Sequence, residues 1–126
     1  MARITGLGGI FFKSPDPKKL SGWYRDVLGF ALEEWGGSML RYDAPGHPSF
    51  VVWSPFAADS GYYEPSVREF MVNFAVDDLD EFLAQIETKG VTVLDRKDEV
   101  YGRFAWIMDP DGTKIELWQP IEPPEH

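Results

Sequence analysis

The second half of this 126-residue chain repeats the layout of its first half, and no other feature limits its possible folds so strongly. Phe12 opens a stretch that closes at Trp53, and Phe74 opens a matching stretch that closes at Trp118. Asp16-Pro17 and Asp77-Asp78 each begin an apolar-periodic segment, and Gly29 and Gly90 each end one. The run 49–53 has its counterpart in 114–118. Phe12 and Phe74 lie 62 residues apart and Trp53 and Trp118 lie 65 apart, a period too long for a solenoid unit. The pattern is that of a duplicated supersecondary module, in which each half predicts key positions of the other.

Local signals fill in the module. Residues 4–13 read as a strand. Asp16 is a natural N-cap with Pro17 at the first helical position. Leu20, Trp23, Tyr24 and Val27 follow at i, i+3, i+4 and i+7, one apolar helix face, and Gly29 is a C-terminal stop. Residues 30–35 and 38–42 read as strands joined by a Gly36-Gly37 hairpin turn. Residues 43–48 form a turn cluster, and 49–53 a further strand.

In the second half 70–76 reads as a strand. Asp78 with Glu81 makes a capping-box-like start, and Leu79, Phe82, Leu83 and Ile86 repeat the helical spacing up to Gly90. Residues 91–96, 103–108 and 114–119 read as strands, the last two joined by the turn Asp109-Pro110-Asp111-Gly112. The expected organisation is one domain: module one over 4–54, a linker over 55–69, module two over 70–119 and a tail over 120–126. The linker carries Tyr62-Tyr63. It is either a connector whose tyrosines cover apolar surface or a flap over a site.

Size fits one domain with a real core. Lysines and arginines number 12 against 21 acids, a net charge of -9. That balance disfavours binding to a phosphate backbone, so no nucleic-acid partner is expected. It suits cationic or neutral small ligands. The absence of Cys excludes disulfides, thiolate nucleophiles and cysteine metal sites. No apolar run approaches a membrane span and no targeting segment is visible. The expectation is a cytoplasmic protein with no membrane partner.

The segment Asp16-Pro-Lys-Lys-Leu-Ser-Gly-Trp-Tyr-Arg-Asp-Val-Leu-Gly-Phe30 resembles the first-helix signature of the vicinal oxygen chelate superfamily. The run from Tyr101-Gly102 through Asp109-Pro-Asp-Gly-Thr-Lys-Ile-Glu-Leu-Trp118 resembles its C-terminal signature, and residues 74–79 add to the likeness. Glyoxalase I, extradiol dioxygenases, fosfomycin resistance enzymes and bleomycin resistance proteins are members. The resemblance covers roughly residues 4–119. It implies an α+β fold of two tandem βαβββ modules, each curling into half of a cup that closes around a ligand, and a homodimer. A ferredoxin-like dimeric α+β barrel shows similar alternation, but the three strands after each helix argue against it.

Metal-dependent members place ligands on the first and last strands of each module. Carried onto this sequence, those positions are Gly9, Val51, Met71 and Glu116. Gly and Val cannot ligate, Met suits only soft metals, and one carboxylate cannot hold a divalent ion. The two histidines lie in the turn at His47 and at the terminus, His126. Neither a metal nor any other cofactor is therefore expected.

Strand alternation then sorts the sheet faces. With Glu116 facing inward go Lys114 and Trp118; with Gly9 go Phe11 and Lys13; with Val51 go Ser49 and Trp53; with Met71 go Asn73 and Ala75. The opposite parity holds Ile10, Phe12, Phe50, Val52, Val72, Phe74, Ile115 and Leu117, almost all apolar, as a face packed under helices requires. The inward face is mixed, the composition of a ligand site. Glu116 is the candidate catalytic residue, either a general base or cation anchor, or a structural ion pair with Lys13 or Lys114. Phe11, Lys13, Trp53, Met71, Asn73, Arg103 and Trp118 are the candidate ligand-binding residues, with Arg103 placed at the cup rim. The same aromatic residues would also suit core filling or a dimer interface.

The leading expectation is a metal-independent protein that binds a small molecule, sequestering an aromatic or cationic ligand as bleomycin resistance proteins do. The alternative is a lyase, isomerase or dioxygenase of the same superfamily, with Glu116 as acid/base group or metal ligand. A regulatory or interaction module ranks last, because no tail or charged run argues for it.

Overall fold

The computed structural model describes Arg3 and residues 7–121. Residues 4–6 of the expected first strand and the tail from 122, including His126, lie outside the described residues. The elements run α1 (Pro17–Leu28), β1 (Val72–Ala75), α2 (Leu79–Glu87), β2 (Asp95–Glu99), β3 (Gly102–Met108) and β4 (Lys114–Pro120). The strands form one mixed sheet in the order β1-β4-β3-β2. β1 runs parallel to β4, and the other neighbours are antiparallel.

Both helices begin where side-chain chemistry places them. Asp16 accepts a hydrogen bond from Lys19 N at 3.1 Å, and Asp78 accepts one from Glu81 N at 3.1 Å, each satisfying an otherwise orphaned donor of the first turn. Gly29 ends α1 with φ 82°, a left-handed conformation that side chains beyond Cα disfavour. α2 closes with Val91 N donating to Ile86 O at 3.2 Å.

One core lies between the helices and one sheet face. Leu20 and Tyr24 of α1 meet Leu79, Leu83 and Ile86 of α2 over Ala105, Ile107, Ile115 and Leu117 of β3 and β4. Alternation along β4 thus sends Ile115 and Leu117 under the helices and Lys114, Glu116 and Trp118 to the far face, as the sequence predicts. Phe74 and Val76 pack against the same core from β1 and its end.

The buried carboxylate of Asp109 joins α1 to the β3–β4 turn. It accepts a hydrogen bond from the Tyr24 hydroxyl at 2.8 Å, and from the backbone N of Asp111 and of Thr113, each at 2.9 Å. The turn expected at 109–112 is therefore held from inside.

The first half departs from expectation. In place of strands over 30–35, 38–42, 49–53 and the described part of 4–13, the described residues show a single bridge, between Leu32 and Ser38. That bridge flanks the expected Gly36-Gly37 turn. Ile10, Phe12, Phe50 and Val52, expected beneath helices, are exposed. Alternation can set the faces of a strand, but a strand also needs a ladder partner for its backbone groups. α1, the helix of module one, packs instead on the sheet of the second half. The second-half strand expected at 91–96 forms later, at Asp95–Glu99, while Val91 and Val93 pack against the core ahead of it.

Candidate functional site

Pairing across the sheet sets the far face in rows. Asn73, Glu116, Trp106 and Asp95 are register neighbours, and so are Ala75, Trp118, Phe104 and Lys97. The first row centres on Glu116. Its Oε2 accepts a hydrogen bond from Asn73 Nδ2 at 2.6 Å. Its Oε1 accepts two, from Trp106 Nε1 at 2.9 Å and from the Tyr62 hydroxyl at 2.6 Å. Asn73 and Trp106 come from the sheet, whereas Tyr62 reaches in from the linker. Burial and then the bond to Glu116 raise the Tyr62 pKa above the ordinary tyrosine range, which keeps its hydroxyl a donor.

All three donors are neutral. Among the described residues Glu116 has no ion pair within 4.0 Å. The structural ion pair with Lys114 does not form. Lys114 Nζ instead donates to the backbone O of Tyr62 at 2.7 Å and lies 5.3 Å and 5.7 Å from the ring centres of Tyr62 and Trp106. A half-buried carboxylate is thus held in place without its charge being cancelled, an arrangement that favours a cation or a strong donor.

The second row is aromatic. Phe104 is close to parallel with both neighbours and stacks between them, 13° from Trp106 and 4° from Trp118, at centroid distances of 6.3 and 6.5 Å. Gly102 makes room for the ladder: a Cβ there would lie 2.6 Å from Trp118 Nε1. That indole N–H finds no acceptor among the described residues. Tyr62 stands edge-on to Trp106, at 85° and 6.2 Å. Beside it opens a cavity of about 500 Å³ lined by Tyr62, Pro65, Leu94, Lys97, Trp106 and Lys114, among others.

The candidate residues divide accordingly. Glu116, Asn73 and Trp118 share the sheet face opposite the helices, and Met71 is half-buried just before β1. Phe11, Lys13 and Trp53 are exposed on coil, with Phe11 at 93% and Trp53 at 79% of full exposure, and are not brought to Glu116. Phe50, expected to face away from the cup, is the first-half ring that reaches it, 6.3 Å from Trp118.

Arg103 belongs to the helix side of the sheet rather than the cup rim. It pairs with Asp80 at 3.3 Å and with Asp98 at 3.6 Å, beside Arg96, which pairs with the same two acids. The residue after Gly102 must point opposite to Phe104, and the acid on α2 meets it there.

Tyr62, Trp106 and Phe104 join the candidate site beyond the residues expected from sequence. Alternation along 103–108, carried across from Trp118, would have found the two ring residues of β3. For Tyr62 the sequence held only the choice between connector and flap, and its bond to Glu116 places it over the site.

The donor set also bears on a metal. Around Glu116 stand an amide N–H, an indole N–H and a phenol, all of which present hydrogens rather than lone pairs to the carboxylate. Among the described residues no three His, Cys, Asp or Glu side chains converge to hold an ion. These residues do not fit a divalent centre.

The family model of the Glyoxalase/Bleomycin resistance protein/Dioxygenase superfamily matches residues 7–117. The chain belongs to this superfamily. Solved structures agree with the assignment. TnmS3, an antibiotic binding protein from Streptomyces sp. CB03234, is 25% identical with a TM-score of 0.52, over 84% of this chain and 88% of that one. A glyoxalase/bleomycin resistance protein from the same Streptomyces strain is 26% identical with a TM-score of 0.50, over 82% and 91%. A protein from the mobile metagenome of V. Pseudocholerae, 18% identical with a TM-score of 0.52 over 92% and 99%, shares the fold. The superfamily assignment thus covers the first half too, where the described residues show a single bridge.

Proposed function

We propose that this protein binds a small molecule without a metal, its cup taking an aromatic or cationic ligand. The observation that carries the reading is Glu116, a carboxylate fixed by three neutral donors beside a ladder of aromatic rings, with no cation paired to it among the described residues. Such a wall offers stacking and cation–π contact to the ligand, and the carboxylate supplies its one charged anchor. The likeness to an antibiotic binding protein supports the same reading.

Titration with planar cations such as proflavine, followed by quenching of tryptophan emission, tests it. Saturable quenching is expected, because Trp106 and Trp118 line the cup. The absence of quenching across a panel of planar cationic and neutral compounds contradicts it. Elemental analysis of protein purified without added metal is expected to show no stoichiometric zinc, nickel, manganese or iron.

One observation favours a second reading, that of an enzyme with Glu116 as its acid/base group. The Tyr62 phenol at 2.6 Å marks a position from which an acidic group on a ligand can reach that carboxylate. Turnover of a bound compound, lost in Glu116→Gln with binding retained, would select this reading over sequestration.

A homodimer is part of the proposal. Ile10, Phe12, Phe50 and Val52 leave apolar surface uncovered within one chain, and a second copy would bury it.

A further inference from the structure

Tyr62 differs from the other two partners of Glu116 in where it comes from. Asn73 and Trp106 are fixed by the sheet register. Tyr62 lies on the linker, 40% exposed. The linker is anchored further on, where Ser66 Oγ donates to Gly112 O and the Arg68 guanidinium meets Asp111. Between the two run the local turn bonds from Glu64 N to Gly61 O and from Ser66 N to Tyr63 O. The Tyr62 backbone is tied to β4 by Lys114 Nζ at 2.7 Å, whereas its side chain is held by its hydroxyl bond and by ring contacts with Trp106, Phe56, Tyr63 and Lys114, which a side-chain rotation would break.

The phenol also covers what a ligand would need. Moving it uncovers the outer face of Trp106, releases one of the two bonds on Glu116 Oε1, and widens the adjoining cavity of about 500 Å³. The space left behind has the shape and polarity of what filled it: a flat ring whose edge donates one hydrogen bond to a carboxylate.

We propose that Tyr62 occupies the ligand position as an internal surrogate, and that the cup selects aromatic rings bearing a hydroxyl or amino donor, which displace it. This deepens the proposed function and rests on the cup being a ligand site. The displacement lowers apparent affinity by the fraction of molecules in which Tyr62 has swung out. An aromatic ring without a donor leaves Glu116 Oε1 short of a partner and is discriminated against.

Equilibrium dialysis with 2-naphthol and 2-methoxynaphthalene, which differ in the donor, tests this, with N-methylacridinium, a planar cation that has no N–H or O–H, as a third probe. The wild type is expected to bind 2-naphthol about tenfold more tightly than its methyl ether. Tyr62→Ala, which frees both the ring face and the carboxylate, should bind 2-naphthol several-fold more tightly than wild type. Tyr62→Phe keeps the ring and loses the hydroxyl, and should fall between the two. Equal affinity for the two naphthalenes, binding of N-methylacridinium alone, or no gain in either Tyr62 variant overturns the inference and leaves the ligand site standing. Failure of all three proteins to bind any of the three probes overturns both.

Discussion

Tyr24 is where one residue does the most to join the halves of the chain. Its ring packs edge-on against Phe30 and Phe74, and its hydroxyl reaches the buried Asp109. Tyr24→Phe removes one bond to a charged acceptor, and a loss of about 1.5–3 kcal/mol is expected in denaturant unfolding. Burial, followed by the Asp109 bond, raises the folded-state pKa of Tyr24 above its ordinary value of 10.0. Its contribution is therefore complete below about pH 10 and declines as the pH rises further. The unfolding midpoint of wild type should fall steeply in that alkaline range, and that of Tyr24→Phe should fall less. Parallel alkaline profiles would show that Tyr24 is not the group being titrated.

Among elements, the helices were legible in the sequence because their start signals are local. A cap acts through the next three residues, so Asp16 and Asp78 could be read without knowing the fold. Asp78→Ala should cost about 1 kcal/mol through the lost bond to Glu81 N. The strands of the second half were legible from alternation, with one shift: β2 begins at Asp95 because its ladder is set by Gly102–Trp106 opposite, not by its own valines. The strands of the first half were not, because alternation names faces but not partners.

β3 shows what pairing adds. Gly102 lies opposite Pro120 and beneath the Trp118 ring, a close approach that only the paired register reveals. Gly102→Ala must displace that indole, and a loss of about 1–3 kcal/mol together with a shifted tryptophan emission spectrum is expected. Unchanged emission would mean that Trp118 does not rest on Gly102.

At the scale of the whole molecule, the second half holds the sheet and most of the site, and the first half contributes α1, Phe50 and a set of exposed apolar side chains. A dimer at micromolar concentration is the expected result of light scattering, and a monomer would remove the proposed cover for that surface. The candidate site was legible in part. Glu116 and its neighbours on β1 and β4 follow from alternation within a strand. Tyr62 does not, because its bond spans 54 positions and depends on how a loop returns over the sheet. Glu116 is the proposed anchor of a bound ligand. Calorimetric titration of wild type and Glu116→Gln with proflavine at neutral pH tests this most directly. Glu116→Gln keeps the shape of the site and removes its charge, and about tenfold or greater weakening is expected; equal affinity in the two proteins would show that Glu116 is not the anchor.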